Sequence, residues 1–182
     1  MAYVYLAGPD IFLPHAQEIG RLKKARCEHH GFVGLFPLDA ELSLERGDAM
    51  STRIFEANIA LMRRSDAVIA NLTPFRGPSA DVGAVFEIGF AFALEKPVFA
   101  YTNHGASYRE RALNCAGDGM SVENFGLLDN LMIVEAIRAQ GWDIVVRDPP
   151  AERRFEDLDG FEHCLRQAAA FFRRGREGAA AP

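Results

Sequence analysis

Short, continuous apolar runs recur five times along this chain, at residues 3–6, 32–36, 67–71, 97–101 and 143–146, and the stretches between them read as helices. Strands that are apolar on both sides belong to a sheet covered on both faces, and alternation with helices supplies the crossovers that parallel strands need. The pattern therefore predicts an α/β fold: a doubly wound, five-stranded parallel sheet in a single domain. Helices are predicted at residues 16–30, where Gly31 is the stop, at 51–65 with Ser51 as N-cap, from about 82 to 94, at 128–139 and at 155–174. Residues 38–50 read as an irregular loop with some helical content, and 102–126 as a mobile loop. Residues 1–174 form the domain and 175–182 a frayed, disordered tail. In such sheets ligands bind outside the carboxyl ends of the strands. Chemistry is therefore expected in residues 8–12, 37–39, 72–81 and from 102 onward.

One charge interrupts the most apolar stretch. Residues 82–94, VGAVFEIGFAFAL, carry Glu87 and no other ionisable group. A helix apolar nearly all round is buried in the domain or at a subunit contact, and an ionised carboxylate there costs several kcal/mol, of order 3–5, unless it is satisfied. Two readings follow: a structural ion pair with Arg63 or Arg64, or a carboxylate aimed into the strand-end crevice. Asp81 stands at the loop-to-helix junction, as a plain N-cap or as a second carboxylate approaching the same pocket. Gly83 and Gly89 leave room for a ligand or a neighbouring helix. Paired carboxylates suit glycosyl transfer, one attacking the anomeric carbon and the other handling the leaving group's proton. Gly8-Pro9 and the loop around Gly77 offer backbone N–H groups to an anion. Phe12 is read equally as a stacking platform for a planar ligand and as a core staple. The amide of Asn58, within a helix, more often serves a backbone group than a ligand.

Composition narrows the classes. Lys and Arg number 20 against 25 Asp and Glu, a net charge of −5, which argues against nucleic acid and anionic membranes as partners. The three cysteines form no Cys-x-x-Cys pair and the five histidines no ligand spacing, so no metal and no disulfide framework is expected, and a reducing cytoplasm is. The start carries no signal-peptide pattern, and the longest apolar run is too short to span a membrane. Neither a G-x-x-x-x-G-K-[ST] nor a G-x-G-x-x-G motif occurs, so no nucleotide cofactor is expected.

YLAGPDIF, SDAVIANLTPFRGPSADVGAVFEIGFAFALEKPVFAY and FGLLDNLMI, in that order, closely resemble the nucleoside 2-deoxyribosyltransferases. The resemblance runs from residue 3 to about residue 146. It implies a flavodoxin-like fold and exchange of the base of a 2′-deoxynucleoside through a covalent deoxyribosyl-enzyme, in nucleoside salvage and without a cofactor. By that likeness Glu87 is the nucleophile and Asp81 holds the 5′-hydroxyl or helps protonate the base. Tyr5 orients the glutamate, and Phe12 with Pro37 and Asp39 frames the base. Asn58 stands where other branches carry aspartate. Asn130 and Met132 fall in the element that reaches a neighbouring subunit's site, which implies a homodimer or larger homo-oligomer. Where the family has Gly-Thr, this chain has Gly83-Ala84. Two rivals remain: an N-glycosidase of nucleosides or their 5′-monophosphates on the same scaffold, with Ser79 near a phosphate, and a non-catalytic nucleoside-sensing module.

Overall fold

The computed structural model describes residues 1–41, 49–115 and 119–179. Five parallel strands form one sheet in the order β2-β1-β3-β4-β5. They are β1 (Ala2–Ala7), β2 (Phe32–Leu35), β3 (Ala67–Asn71), β4 (Val98–Thr102) and β5 (Val145–Val146). Tyr5 pairs with Leu35 on one side and Val68 on the other, so β1 is an interior strand. The helices are α1 (Ala16–His29), α2 (Leu38–Glu41), α3 (Met50–Arg64), α4 (Val82–Ala93), α5 (Tyr108–Cys115), α6 (Leu131–Arg138) and α7 (Asp159–Ala179).

The two-residue period of a strand divides β1 between two cores. Val4 and Leu6 point to one face, where they join Phe32, Ile69, Phe99, Phe161 and Leu165 beneath α1 and α7. Tyr5 and Ala7 point to the other, with Met62, Val68, Ala70, Ile88, Ile133 and Ile137 beneath α3, α4 and α6. Burial on both faces is why the strands read as continuous apolar runs. The chain leaves β1 toward β2 and returns to β3 on the far side of β1, so the topological switch point lies between β1 and β3.

Several expected boundaries are corrected. The 102–126 segment is not a loop throughout: α5 lies within it, and its buried residues are Arg111 and Ala112, leaving no apolar stripe to read. Ser51 is not a cap. Ala49 takes the N-cap position of α3 and makes no side-chain cap bond. The helix expected at 128–139 begins at Leu131, because Asn130 caps it by accepting from the Met132 N–H at 3.0 Å. β5 is two residues rather than four. The last helix starts at Asp159, after a 3-10 turn at Ala151–Arg153, and continues past 174 to Ala179. Residues 42–48 of the expected 38–50 loop and 180–182 of the expected tail lie outside the described residues. Among the described residues no helix is long and apolar enough to cross a membrane.

Candidate active site

Asp81 starts α4. Its Oδ2 accepts the Ala84 N–H at 3.0 Å, satisfying one of the donors a helix N-terminus leaves unpaired. Ala84, Ile88 and Ala91 then face the sheet, which turns Gly83, Phe86 and Glu87 toward α3. Between the two helices lies a cavity of about 340 Å³ lined by Phe55, Asn58, Ile59 and Met62 of α3 and by those three α4 residues. Ala84 is buried on the helix's inner face, so the departure from Gly-Thr lies away from this cavity.

Glu87 does not pair with Arg63 or Arg64. The guanidinium of Arg63 lies over the ring of Phe90 and that of Arg64 over the ring of Tyr3. Its partner is the buried phenol of Tyr5, whose hydroxyl donates to Oε1 at 2.5 Å. Burial pushes the Glu87 carboxyl from 4.5 up to about 7; the Tyr5 hydrogen bond opposes the rise and the charge of Asp81 adds to it. Burial, foremost, and then the neighbouring Glu87 hold the Tyr5 phenol protonated far above its ordinary range. Near neutral pH the cavity thus holds a carboxylate poised between its two forms, fixed by one strong donor. It is the arrangement of a nucleophile or general base in a mostly apolar pocket.

The other anticipated residues divide. Asn58 shares the cavity, and among the described residues its Oδ1 is buried without a hydrogen-bond partner. Phe12 is no core staple: it is 47% exposed and stacks on Phe75 at 5.1 Å, with the Arg76 guanidinium 4.9 Å from its centroid. Pro37 is buried at the end of β2. Asp39 accepts from the Phe36 N–H at 3.2 Å and from Lys24 Nζ at 2.6 Å, closing the turn on the α1 side and away from Glu87. Gly77 sits in an exposed turn after Arg76, whose φ is 55°. Gly8 has φ 145°, and a Cβ there would lie 2.6 Å from Asn71 Cβ, so it shapes the loop after β1. Asn130 is committed to capping α6, and Met132 is 73% exposed.

Two buried polar clusters go unread in the sequence, although Asp10 and Asp129 fall within the stretches that carry the family resemblance. Asp10, just after β1, accepts from Lys23 Nζ at 2.7 Å and from the Asn71 amide, all three buried. Asp129 and Arg111 form the second, beside the turn that leads into α4. Asp10 follows the Gly-Pro of the first strand's end, but Lys23 stands on a helix among exposed lysines and arginines. Among the described residues no group of three or more His, Cys, Asp or Glu side chains is placed to hold a metal ion.

A parallel α/β sheet with a poised carboxylate beside its switch point defines a small-molecule enzyme rather than a scaffold. The sequence profile of the nucleoside 2-deoxyribosyltransferases matches residues 4–132, and the chain belongs to that family, a family of pentosyltransferases. It is 32% identical over 169 residues to an uncharacterized protein of Schizosaccharomyces pombe, covering 79% of this chain and 80% of that one. The 2-desoxiribosyltransferase of Leishmania mexicana superposes with a TM-score of 0.66 at 31% identity, over 87% of this chain and 97% of that one. The 2-deoxyribosyltransferase of Bacillus psychrosaccharolyticus shares the fold at 17% identity and a TM-score of 0.52, over 78% of this chain and 93% of that one.

Proposed function

We propose that this protein exchanges the base of 2′-deoxynucleosides, with Glu87 as the nucleophile and a deoxyribosyl ester on its carboxylate as the intermediate. The observation that carries the reading is the 2.5 Å hydrogen bond from Tyr5 to a carboxylate raised to about 7 in a mostly apolar cavity. Ionised Glu87 attacks C1′ as the bond to the base breaks, and the departing base takes up a proton. A second base attacks C1′ from the opposite face, returning the electron pair to Glu87 and retaining configuration. A 2-deoxy sugar lacks the hydroxyl that would withdraw electrons from an oxocarbenium-like transition state, which favours this substrate class.

Asp81, already spent in part on Ala84 N–H, stands at the cavity's edge with its charge felt by Glu87, consistent with a contact to the sugar. Asn58, Gly83 and Phe12 are assigned to the substrate, with Pro37, Asp39, Gly8 and Gly77 shaping the loops around it. The exposed Met132 and its neighbour Asn130 are assigned to a contact with a second copy, and the working form is a homodimer or larger assembly in the cytoplasm, serving nucleoside salvage. No cofactor is required by these steps.

The rival hydrolase of 5′-monophosphates draws less support. The Ser79 hydroxyl that would meet a phosphate donates instead to the carboxylate of Asp129. The test is incubation of deoxyinosine with free adenine. Formation of deoxyadenosine, lost in Glu87→Gln, supports transfer; release of hypoxanthine with no deoxyadenosine assigns the chain to the hydrolases instead.

A further inference from the structure

We propose that Asp129, neutralised by Arg111, is a positioning residue for Glu87: it fixes the turn over residues 78–81 and so sets where α4 begins. The inference rests on the reading of Glu87 as nucleophile. Both charges are buried, Asp129 1% exposed and Arg111 7%, with Arg111 Nη2 3.6 Å from Asp129 Oδ2. Between them they hold three consecutive residues of the turn. Arg111 Nε donates to the Pro78 carbonyl at 2.7 Å, the Ser79 hydroxyl donates to Asp129 Oδ1, and the Ala80 N–H donates to Asp129 Oδ2 at 2.9 Å. The next residue, Asp81, is the N-cap of α4.

The remaining bonds tie the turn to distant segments. Arg111 Nη1 donates to the Ala106 carbonyl and Nη2 to the Leu128 carbonyl at 2.6 Å, while Asp129 Oδ1 also accepts the Asn130 N–H at 2.8 Å. One carboxylate therefore sits at the N-terminal approach of both α4 and α6, where the helix dipoles favour an anion. A buried ion pair contributes little net stability over well-packed apolar residues, so its use here is specificity of place. From Val82, next to the Asp81 cap, to Glu87 the chain is continuous helix, and a shift of the turn is carried to the carboxylate. A reacting group displaced by about 1 Å loses on the order of 100-fold in rate.

Glu87 faces Tyr5 from β1 and Asp81 from its own helix; the α3 wall of Phe55, Asn58, Ile59 and Met62 brings no charge. If the turn loosens, the Tyr5–Glu87 bond lengthens and the carboxyl rises further, so the acid limb of kcat/KM moves upward from about 7. That readout separates positioning from mere support of the fold, which would lower Tm and the folded fraction and leave the midpoint alone.

The experiment compares Ser79→Ala, Ser79→Thr and Asp129→Asn for Tm, kcat, KM and the pH profile of base exchange. Ser79→Ala is expected to lower kcat roughly tenfold with KM little changed, Ser79→Thr to restore it, and Asp129→Asn to lower kcat about 100-fold with the acid midpoint shifted up. Should Asp129→Asn fail to fold, the Ser79 pair decides. Wild-type kcat and midpoint in the Ser79→Ala variant, or no rescue by Ser79→Thr at normal Tm, overturns the positioning role while an inactive Glu87→Gln leaves the proposed function standing. Exchange that survives in Glu87→Gln removes that function itself.

Discussion

Tyr5 and Glu87 are 82 residues apart in the chain, yet the tyrosine hydroxyl lies 2.5 Å from Oε1 of the glutamate. The strand supplies a rigid donor from the sheet's interior and the helix supplies the acceptor. Because the bond favours the ionised carboxylate, it opposes the rise that burial imposes. Tyr5→Phe keeps the ring's packing and removes only the donor. The acid limb of kcat/KM is expected to move above about 7, with a loss at pH 7 of roughly 10- to 100-fold, the worth of a hydrogen bond to a charged group. A pH profile from 5 to 9, read against wild type, checks it; an unmoved midpoint would show that the phenol does not tune the carboxylate.

Glu87 is expected to cost stability. Its carboxyl titrates at about 7 in the folded chain against 4.5 in the ordinary state. Between those values the folded protein keeps a proton that the unfolded chain has released, so stability falls as pH rises through the window and the full penalty stands above pH 7. A rise of this size corresponds to roughly 3 kcal/mol. Glu87→Gln, inactive in base exchange, is therefore expected to be the more stable protein at pH 8, by up to roughly 3 kcal/mol, and to lose most of that advantage near pH 4.5. Urea unfolding at the two pH values measures the difference, and equal stabilities at pH 8 would contradict the burial of an ionised group.

The sheet was legible because burial on both faces writes itself into continuous apolar runs, and Glu87 was legible because one charge breaks the most apolar of them. Asp81 was legible as a cap from its place before that helix. The helix α5 was hidden because what it buries is Arg111, a residue that reads as surface in any sequence, beside a single alanine. Asp10, Lys23 and Asp129 were hidden for the same reason: a buried charge is recognised by its partner, and the partners stand 13 and more residues away on other elements. The direction of Asp39 depended on Lys24, one residue further along α1 than the Lys23 that turns inward.

The Asp10–Lys23 pair sits under the loop that carries Phe12, with Lys23 Nζ also 5.2 Å from the Phe161 ring. Removing one member leaves the other buried and uncompensated, which costs about 3–5 kcal/mol. Lys23→Met and Asp10→Asn are each expected to lower stability by that order, and the double variant by less than their sum, since it leaves no unpaired charge. Denaturant midpoints for the four proteins of the cycle measure the coupling. Additive losses would mean that the two groups do not act as a pair.

An apolar face of α4 and α6 remains uncovered in the single chain. Val82 is 84% exposed and Met132 73%, and a groove of about 360 Å³ between the helices is lined by Val85, Ile88, Gly89, Phe92, Met132, Ile133, Ala136 and Ala139, with Glu135 its one charged residue. Contiguous apolar surface of this kind marks a contact site. The groove and the cavity lie on different sides of α4, the helix that bears Glu87, so a second copy that covers the face and reaches across α4 would close over the cavity mouth, where Phe55 and Phe86 are both half exposed. Self-association is expected, and Met132→Glu, which puts a second negative charge into the groove beside Glu135, is expected to weaken it roughly tenfold or more. Specific activity should fall in parallel on dilution, because water then reaches the intermediate and hydrolysis competes with transfer. Sedimentation velocity over a range of concentrations, paired with the ratio of transferred to hydrolysed product at each, tests both statements. A wild-type chain that sediments as a monomer throughout while keeping its full transfer ratio would leave this face without a role in the reaction.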